Sequence, residues 1–234
     1  MRVEIWSDYI CAFCYLGRKQ FEAALQQFPH RDKVEILLHS FELHPDIHPQ
    51  SGISIYEYAS QVSGIAPSRA KQMYAQVSEQ AKKIGIDYQP DKIVPANTFH
   101  AHCLTHFAAG HGKCLELSEL IYQAYFSEGI NIDDPDVLIS LAERIGLNRT
   151  EAEEVLKNDQ YAEKVWEDER ISRIMNIQGV PFFLFDQNYR VSGAQDVVVF
   201  KKALETAWDS TIAAPEERHS DHSEPGCSGG SCSI

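Results

Sequence analysis

Two hydrophobic periods alternate along the chain. Val3-Glu4-Ile5-Trp6 alternates apolar and polar positions like a short strand. Between residues 13 and 28 the apolar side chains Phe13, Leu16, Phe21, Ala24, Leu25 and Phe28 recur at helical spacing, and Pro29 closes that segment. Residues 34–41 (VEILLHSF) then read as a mostly buried strand. A strand, a helix and a strand in this order predict a right-handed crossover, with the strands parallel and adjacent or nearly so.

From about residue 54 to 176 the pattern is helical throughout. Pro67 stands at a plausible first helical position and Gly85 just past a helix end. Asn97 can cap a helix running to Gly110, and 115–126 repeats the helical period until Gly129. Asp134-Pro135 reads as a cap with proline at the first position, and Gly146 ends that helix. Thr150 can cap the next, and a last helix covers roughly 161–175. Strand signals return in Val180-Pro181-Phe182-Phe183-Leu184-Phe185. Asp186-Gln187-Asn188 is turn chemistry, and Tyr189-Arg190-Val191-Ser192 makes the second arm of a hairpin. A final helix spans roughly 195–208. Residues 209–234 are rich in Ser, Gly, Pro and acid, too polar to offset their ordering entropy, and read as a flexible tail.

Composition narrows the class. The 234 residues carry 21 Lys+Arg against 34 Asp+Glu, a formal charge of −13, which argues against general nucleic-acid binding. No apolar run approaches the ~20 residues of a membrane span. Met1-Arg2 leads straight into Val3-Glu4-Ile5 without an apolar signal region, so the expected setting is cytoplasmic and reducing. Six cysteines then call for redox chemistry, metal binding or packing rather than structural disulfides.

The central motif is Cys11-Ala12-Phe13-Cys14, between the first strand and the first helix. A thiol at a helix start meets unpaired N–H groups and the positive end of the dipole, which favours thiolate. The second cysteine lies one turn on, in reach of a mixed disulfide. C-x-x-C beside a βαβ pattern is a redox signature. The competing readings are two packed cysteines or half of a zinc site, but no second C-x-x-C supplies the other half.

The segment from Val3 through Ser7-Asp8-Tyr9-Ile10-Cys11-Ala12-Phe13-Cys14-Tyr15-Leu16-Gly17 resembles the opening of the DsbA-like thiol oxidoreductases of the FrnE branch. So do Asn97-Thr98-Phe99-His100-Ala101-His102, Gly179-Val180-Pro181-Phe182-Phe183 and Val191-Ser192-Gly193-Ala194-Gln195. The resemblance spans about residues 1–208. It implies an α/β thioredoxin fold (βαβ…ββα) with an inserted all-helical domain: 1–44 and 177–208 the two halves of the thioredoxin-like unit, 45–176 the insertion, 209–234 the tail. It implies Cys11, Cys14 and Pro181 as the catalytic set, the Val180–Pro181 bond being cis and facing the dithiol. Val180 and Phe13 would contact substrate, Val180 through the backbone groups that pair with an extended strand. Family members usually carry Pro where Ala12 stands. With neither Ala12 nor Phe13 adding charge, Cys11 is expected to be a milder oxidant than a C-P-H-C site.

Cys227-Ser228-Gly229-Gly230-Ser231-Cys232 is an accessory C-x4-C pair. A tail of 19 residues from Trp208 spans about 25 Å r.m.s., enough to bring this pair toward the dithiol as an electron relay. His219 and His222 with these cysteines make metal binding the rival reading, and no role the third. His102, His106, His111 and Cys114 have the look of a weak metal set, but helix-surface contacts suit that spacing better. Cys103 and Cys114 read as small buried or half-buried residues. His39, His44 and His48 follow the second strand, where one of them can tune Cys11. The acidic runs 151–154 and 163–169 read as solvated helix faces.

The expected function is a thiol–disulfide oxidoreductase, reductase or isomerase before net oxidase, acting on cysteine-containing proteins as monomer or homodimer. The reductant is of thioredoxin or glutathione type, and no cofactor, metal, nucleic acid or membrane is called for. A glutathione-dependent isomerase or transferase of the kappa-class type is the alternative, although that class carries Ser where Cys11 stands. A redox-linked chaperone or metal-binding protein is the other.

Overall fold

The computed structural model describes residues 1–47 and 52–213, so His48, the Cys227–Cys232 pair and the two tail histidines lie outside it. In chain order the strands and α-helices are β1 (Arg2–Ser7), α1 (Ala12–Gln26), β2 (Glu35–Ser40), α2 (Ile55–Ser63), α3 (Pro67–Lys83), α4 (Phe99–Ala109), α5 (Cys114–Gln123), α6 (Pro135–Arg144), α7 (Arg149–Lys157), α8 (Ala162–Ile174), β3 (Phe182–Phe185), β4 (Tyr189–Ser192) and α9 (Val197–Ala213). Among them, no helix is long and apolar enough to cross a membrane.

The sheet order is β2-β1-β3-β4. β1 runs parallel to β2, with Trp6 opposite His39, and antiparallel to β3, with Ile5 opposite Phe183. Alternation along β1 splits two cores. Val3 and Ile5 meet Phe21 of α1 and Phe200 of α9, with the Phe183 and Phe200 rings 4.7 Å apart. Trp6 packs with Phe182, Leu184 and Ile177 on the other face, beside the end of α8. The β3–β4 hairpin closes through Asp186 and Gln187, both in the left-handed region (φ 47° and 64°), the primed-turn geometry that matches strand twist.

Several expectations shift. β2 is half-buried rather than buried, because as an edge strand it has only β1 for a hydrogen-bonded neighbour. Asn148, not Thr150, caps α7, its side-chain oxygen accepting the Glu151 N–H at 3.1 Å. α9 runs to Ala213, past the expected start of the tail at 209. The Thr211 hydroxyl ties that extra turn to the hairpin by donating to Asp186 Oδ2 at 2.5 Å. After α5 a π-helical turn (Ala124–Glu128) breaks the expected continuous helix before Gly129 takes a left-handed φ of 71°.

The helices between β2 and β3 build the largest core, and it does not stop at their boundary. Tyr9, Cys11, Cys14 and Tyr15 belong to it together with Leu104, Ile121, Tyr122 and Phe126. Tyr15 stacks on Tyr122 at 4.9 Å. Burying each such side chain contributes roughly 1.5–3 kcal/mol, so α1 is held from both sides. Arg18 pins the same junction. Buried on α1, it donates to the Ser118 hydroxyl at 2.5 Å, the Leu115 carbonyl at 2.7 Å and Glu22 at 2.8 Å.

Arg18→Ala leaves the Leu115 carbonyl and Ser118 without this partner. It should lower the urea-unfolding free energy by about 1–3 kcal/mol, the cost of leaving a buried polar group without its partner. A loss below 1 kcal/mol would show that packing alone joins α1 to α5.

Candidate active site

β1 ends at Ser7, and after the four residues 8–11 the chain enters α1. Cys11 is the N-cap of that helix (φ −89°, ψ 108°) and makes no side-chain capping bond, so its sulfur sits at the positive end of the helix dipole. The Cys14 N–H donates back to the Cys11 carbonyl at 3.0 Å, which seats Cys14 in the first turn. The Asp8 N–H donates to Cys14 Sγ at 3.4 Å, and Cys11 Sγ donates to the Val180 carbonyl at 3.7 Å. The Val180–Pro181 peptide bond is cis. Gly17 lets the two segments close on each other: a Cβ there would lie 2.9 Å from Pro181 Cγ and 3.2 Å from Ala194 Cα. Cys11, Cys14, Val180 and Pro181 thus come together from chain ends some 170 residues apart, on the order read from their numbers. Phe13 stands outside them, 45% exposed.

The two thiols differ. Cys14 is 1% exposed; burial, then the hydrogen bond and charge of neighbouring Cys11, push its thiol well above the ordinary value. The Asp8 N–H works the other way and is outweighed. Cys11 is the more accessible, but at 9% it is much less open than a thiol at a helix mouth is expected to be. The insertion explains the difference, because Cys11 shares its apolar cluster with Tyr88, Ile93 and Tyr74.

The histidines go elsewhere. His39 of β2 stacks on Trp6 at 4.3 Å, with Nδ1 2.6 Å from Asp168 Oδ1 and Nε2 3.1 Å from Glu4 Oε2. Both ring nitrogens facing carboxylates, under an indole, is the environment of an imidazolium. His106 Nε2 lies 3.0 Å from Asp168 Oδ2 and from Ser40 Oγ. His102 faces Asp8, and His111 turns to the Phe107 carbonyl and Glu151, so the set spaced like a metal site diverges to three partners. His44 packs edge-on to Tyr58. Cys103 is buried and Cys114 half-buried.

Sequence reasoning missed Asp168. It sits in an acidic run expected to be solvated, yet it is buried and joins α8 to β2. Val165, Asp168 and Ser172 share helical spacing and all are buried, and this was the available signal. Asp8, fully buried beside Cys14, was likewise passed over. Burial alone would raise the Asp168 carboxyl, but hydrogen bonds from His106 and His39, the His39 charge and the Ser40 N–H hold it well below the carboxylate range. Burial would lower His39, but Asp168 and then Glu4 outweigh it and raise it.

The family described as DSBA-like thioredoxin domain matches residues 2–205. A probable DsbA oxidoreductase from Streptomyces coelicolor is similar in structure: 35% identity, 95% of this chain and 94% of that one covered, TM-score 0.87. A Bacillus subtilis relative, the uncharacterized protein YwbO, is 28% identical over 206 residues, covering 87% of this chain and 96% of its own. The cytosolic disulfide reductase DsbM of Pseudomonas aeruginosa, whose structure is also solved with GSH, shares the fold at 15% identity and a TM-score of 0.57, with 91% of this chain and 98% of that one covered.

The pH dependence of stability follows from Asp168 and His39. The depressed carboxyl stabilises the fold above about pH 4 and the raised imidazole below about pH 6.5, so the pair contributes most between those values. As pH rises through the folded value of His39 the contribution is lost; as pH falls through that of Asp168 it is lost again. Urea unfolding of the wild type should become easier between pH 6 and 9, and Asp168→Asn should flatten that slope. Equal slopes would remove the pair from the account.

Proposed function

The chain belongs to the DSBA-like thioredoxin-domain family of thiol–disulfide oxidoreductases, and we propose that it works within that family as a disulfide reductase through Cys11 and Cys14. The observation that carries this reading is the paired geometry: a sulfur at the α1 N-cap that is the less buried of the two, a second thiol in the first turn, and the Val180 carbonyl 3.7 Å from the first. Cys11 attacks a substrate disulfide; one substrate sulfur leaves as thiolate and the other is held in a mixed disulfide. Cys14 then attacks Cys11 Sγ, the Cys11–Cys14 bond forms, and the second substrate thiolate departs. The reverse sequence gives oxidation, and exchange between the two gives isomerisation.

Phe13 and the backbone of Val180 form the contact surface for a cysteine-containing protein strand. A cytoplasmic, reducing setting keeps the dithiol reduced, with a thiol reductant of glutathione or thioredoxin type; a cytosolic disulfide reductase solved with GSH shares the fold. Placement in the FrnE branch rests on the motif around Cys11 and the segments at 97–102, 179–183 and 191–195. The relay role of Cys227 and Cys232 rests on their spacing and on the reach of the tail. A kappa-type isomerase would keep glutathione thiolate free, whereas an oxidised Cys11–Cys14 pair is attacked by it, the Cys11–glutathione bond forming as Cys14 leaves as thiolate.

Insulin reduction monitored by turbidity tests this. Cys11→Ser should fall to the uncatalysed rate. Cys14→Ser should accumulate a protein–substrate mixed disulfide visible by mass. A chain ending at Ala213 should retain the first turnover and slow in later ones. Full activity in Cys11→Ser would refute the assignment.

A further inference from the structure

The face of the sheet turned toward the insertion carries a titratable set that the exchange reaction does not use. Its centre is His39 of β2. Nδ1 lies 2.6 Å from Asp168 Oδ1 and Nε2 3.1 Å from Glu4 Oε2, so each ring nitrogen meets a carboxylate. Only the imidazolium donates to both; a neutral ring has one N–H and turns a lone pair on the other carboxylate. Trp6 joins this set to the dithiol. Fully buried, it stacks flat on the His39 ring at 4.3 Å, and its Nε1–H donates to the Asp168 carbonyl at 3.3 Å. On the other side it stands opposite Phe182 in the β1–β3 register, the rings edge-on at 6.0 Å, and packs with Ile177 and Val180. The segment carrying Val180 is short. α8 ends at Ile174, the Ile177 N–H donates back to the Ser172 carbonyl at 2.9 Å, and β3 starts at Phe182. Both ends of the segment are therefore tied to the His39 set, one through α8 and one through Trp6.

Resting on the reading of the Val180 backbone as the contact for an extended substrate, we propose that His39 is a positioning residue for that contact. As imidazolium it clamps Trp6 and Asp168, and so holds the Val180 carbonyl beside Cys11 where a substrate strand pairs. Loss of the proton sets a ring lone pair against a carboxylate, slackens the clamp and weakens strand pairing, without touching either sulfur. The titratable groups around His39 are Glu4 from β1, Asp168, Lys164 and Glu167 from α8, His106 from α4 and Cys114 at the start of α5. All but Glu4 line, with His39, a pocket of about 270 Å³ through which the ring exchanges its proton. Burial lowers the imidazole, but Asp168 and then Glu4 outweigh it and raise it. The clamp is therefore closed below the ordinary histidine value and slackens as pH rises through the raised one. A substrate that pairs along its backbone feels the change, and a disulfide without a backbone does not.

Single-turnover oxidation of the pre-reduced full chain tests this, with insulin as the disulfide borne on a strand and hydroxyethyl disulfide as the one without a backbone. The ratio of the two rate constants cancels the thiolate fraction of Cys11, which enters both. In wild type the insulin-to-hydroxyethyl ratio should fall about five-fold between about pH 6 and 9, the scale of one net hydrogen bond. Its midpoint should coincide with the titration of the His39 ring followed by NMR. In His39→Gln and in Asp168→Asn the ratio should already be about five-fold lower at the acid end and should lose that step, while hydroxyethyl disulfide reacts within about two-fold of wild type. A ratio that follows the same course in wild type and both folded variants, or a variant in which the two reactions fall alike, would overturn the proposal. If neither disulfide oxidises Cys11 and Cys14 of the wild type, the assignment of the cysteines fails instead, and this inference with it.

Discussion

The closeness with which α1 meets the loop before β3 governs the rest. Gly17 allows the helix to lie against Pro181 and Ala194, and that contact sets Cys11 opposite the Val180 carbonyl. Any side chain larger than hydrogen at position 17 has to displace Pro181 or the Ala194 backbone. The sheet supplies the other half of the constraint. β1 and β3 are adjacent and antiparallel, so the end of β1, where the cysteine loop starts, lies beside the start of β3.

The insertion then gives the dithiol its asymmetry. Here Tyr9, Tyr15 and Tyr122 close over the inner one, and the cluster containing Tyr88 narrows access to the outer one. The same helices bring polar groups to the back of the sheet. His102 reaches Asp8, while His106 and Asp168 meet His39 and Ser40. Two buried carboxylates thus serve different ends. Asp168 is fully matched and fastens α8 and α4 to β2. Asp8 faces His102 with one oxygen and accepts the Leu43 N–H with the other, joining α4 and the loop after β2 to the end of β1.

Much of this was legible before any coordinates. The strand and helix periods, Pro67, Asp134-Pro135 and the Asp186-Gln187 turn mark local chemistry that neighbours do not overrule. The dithiol and Pro181 were legible because C-x-x-C at a helix start and the quoted motifs are specific. What stayed hidden depends on partners distant in the chain. The half-exposure of β2 is set by its edge position. Asp168 is buried because His39 lies 129 residues away, and no acidic run announces such a partner. The depth of Cys11 belongs to the packing of the insertion, and the extra turn of α9 to a hydroxyl reaching back to Asp186.

The claim on which the account stands is that Cys11 is the thiol that meets disulfides first. Brief treatment of the reduced chain with substoichiometric iodoacetamide, followed by peptide mapping, reads this directly. The account predicts label on Cys11 ahead of Cys14, Cys103, Cys114 and the two tail cysteines. Label spread evenly over the others, with Cys11 untouched, would contradict it.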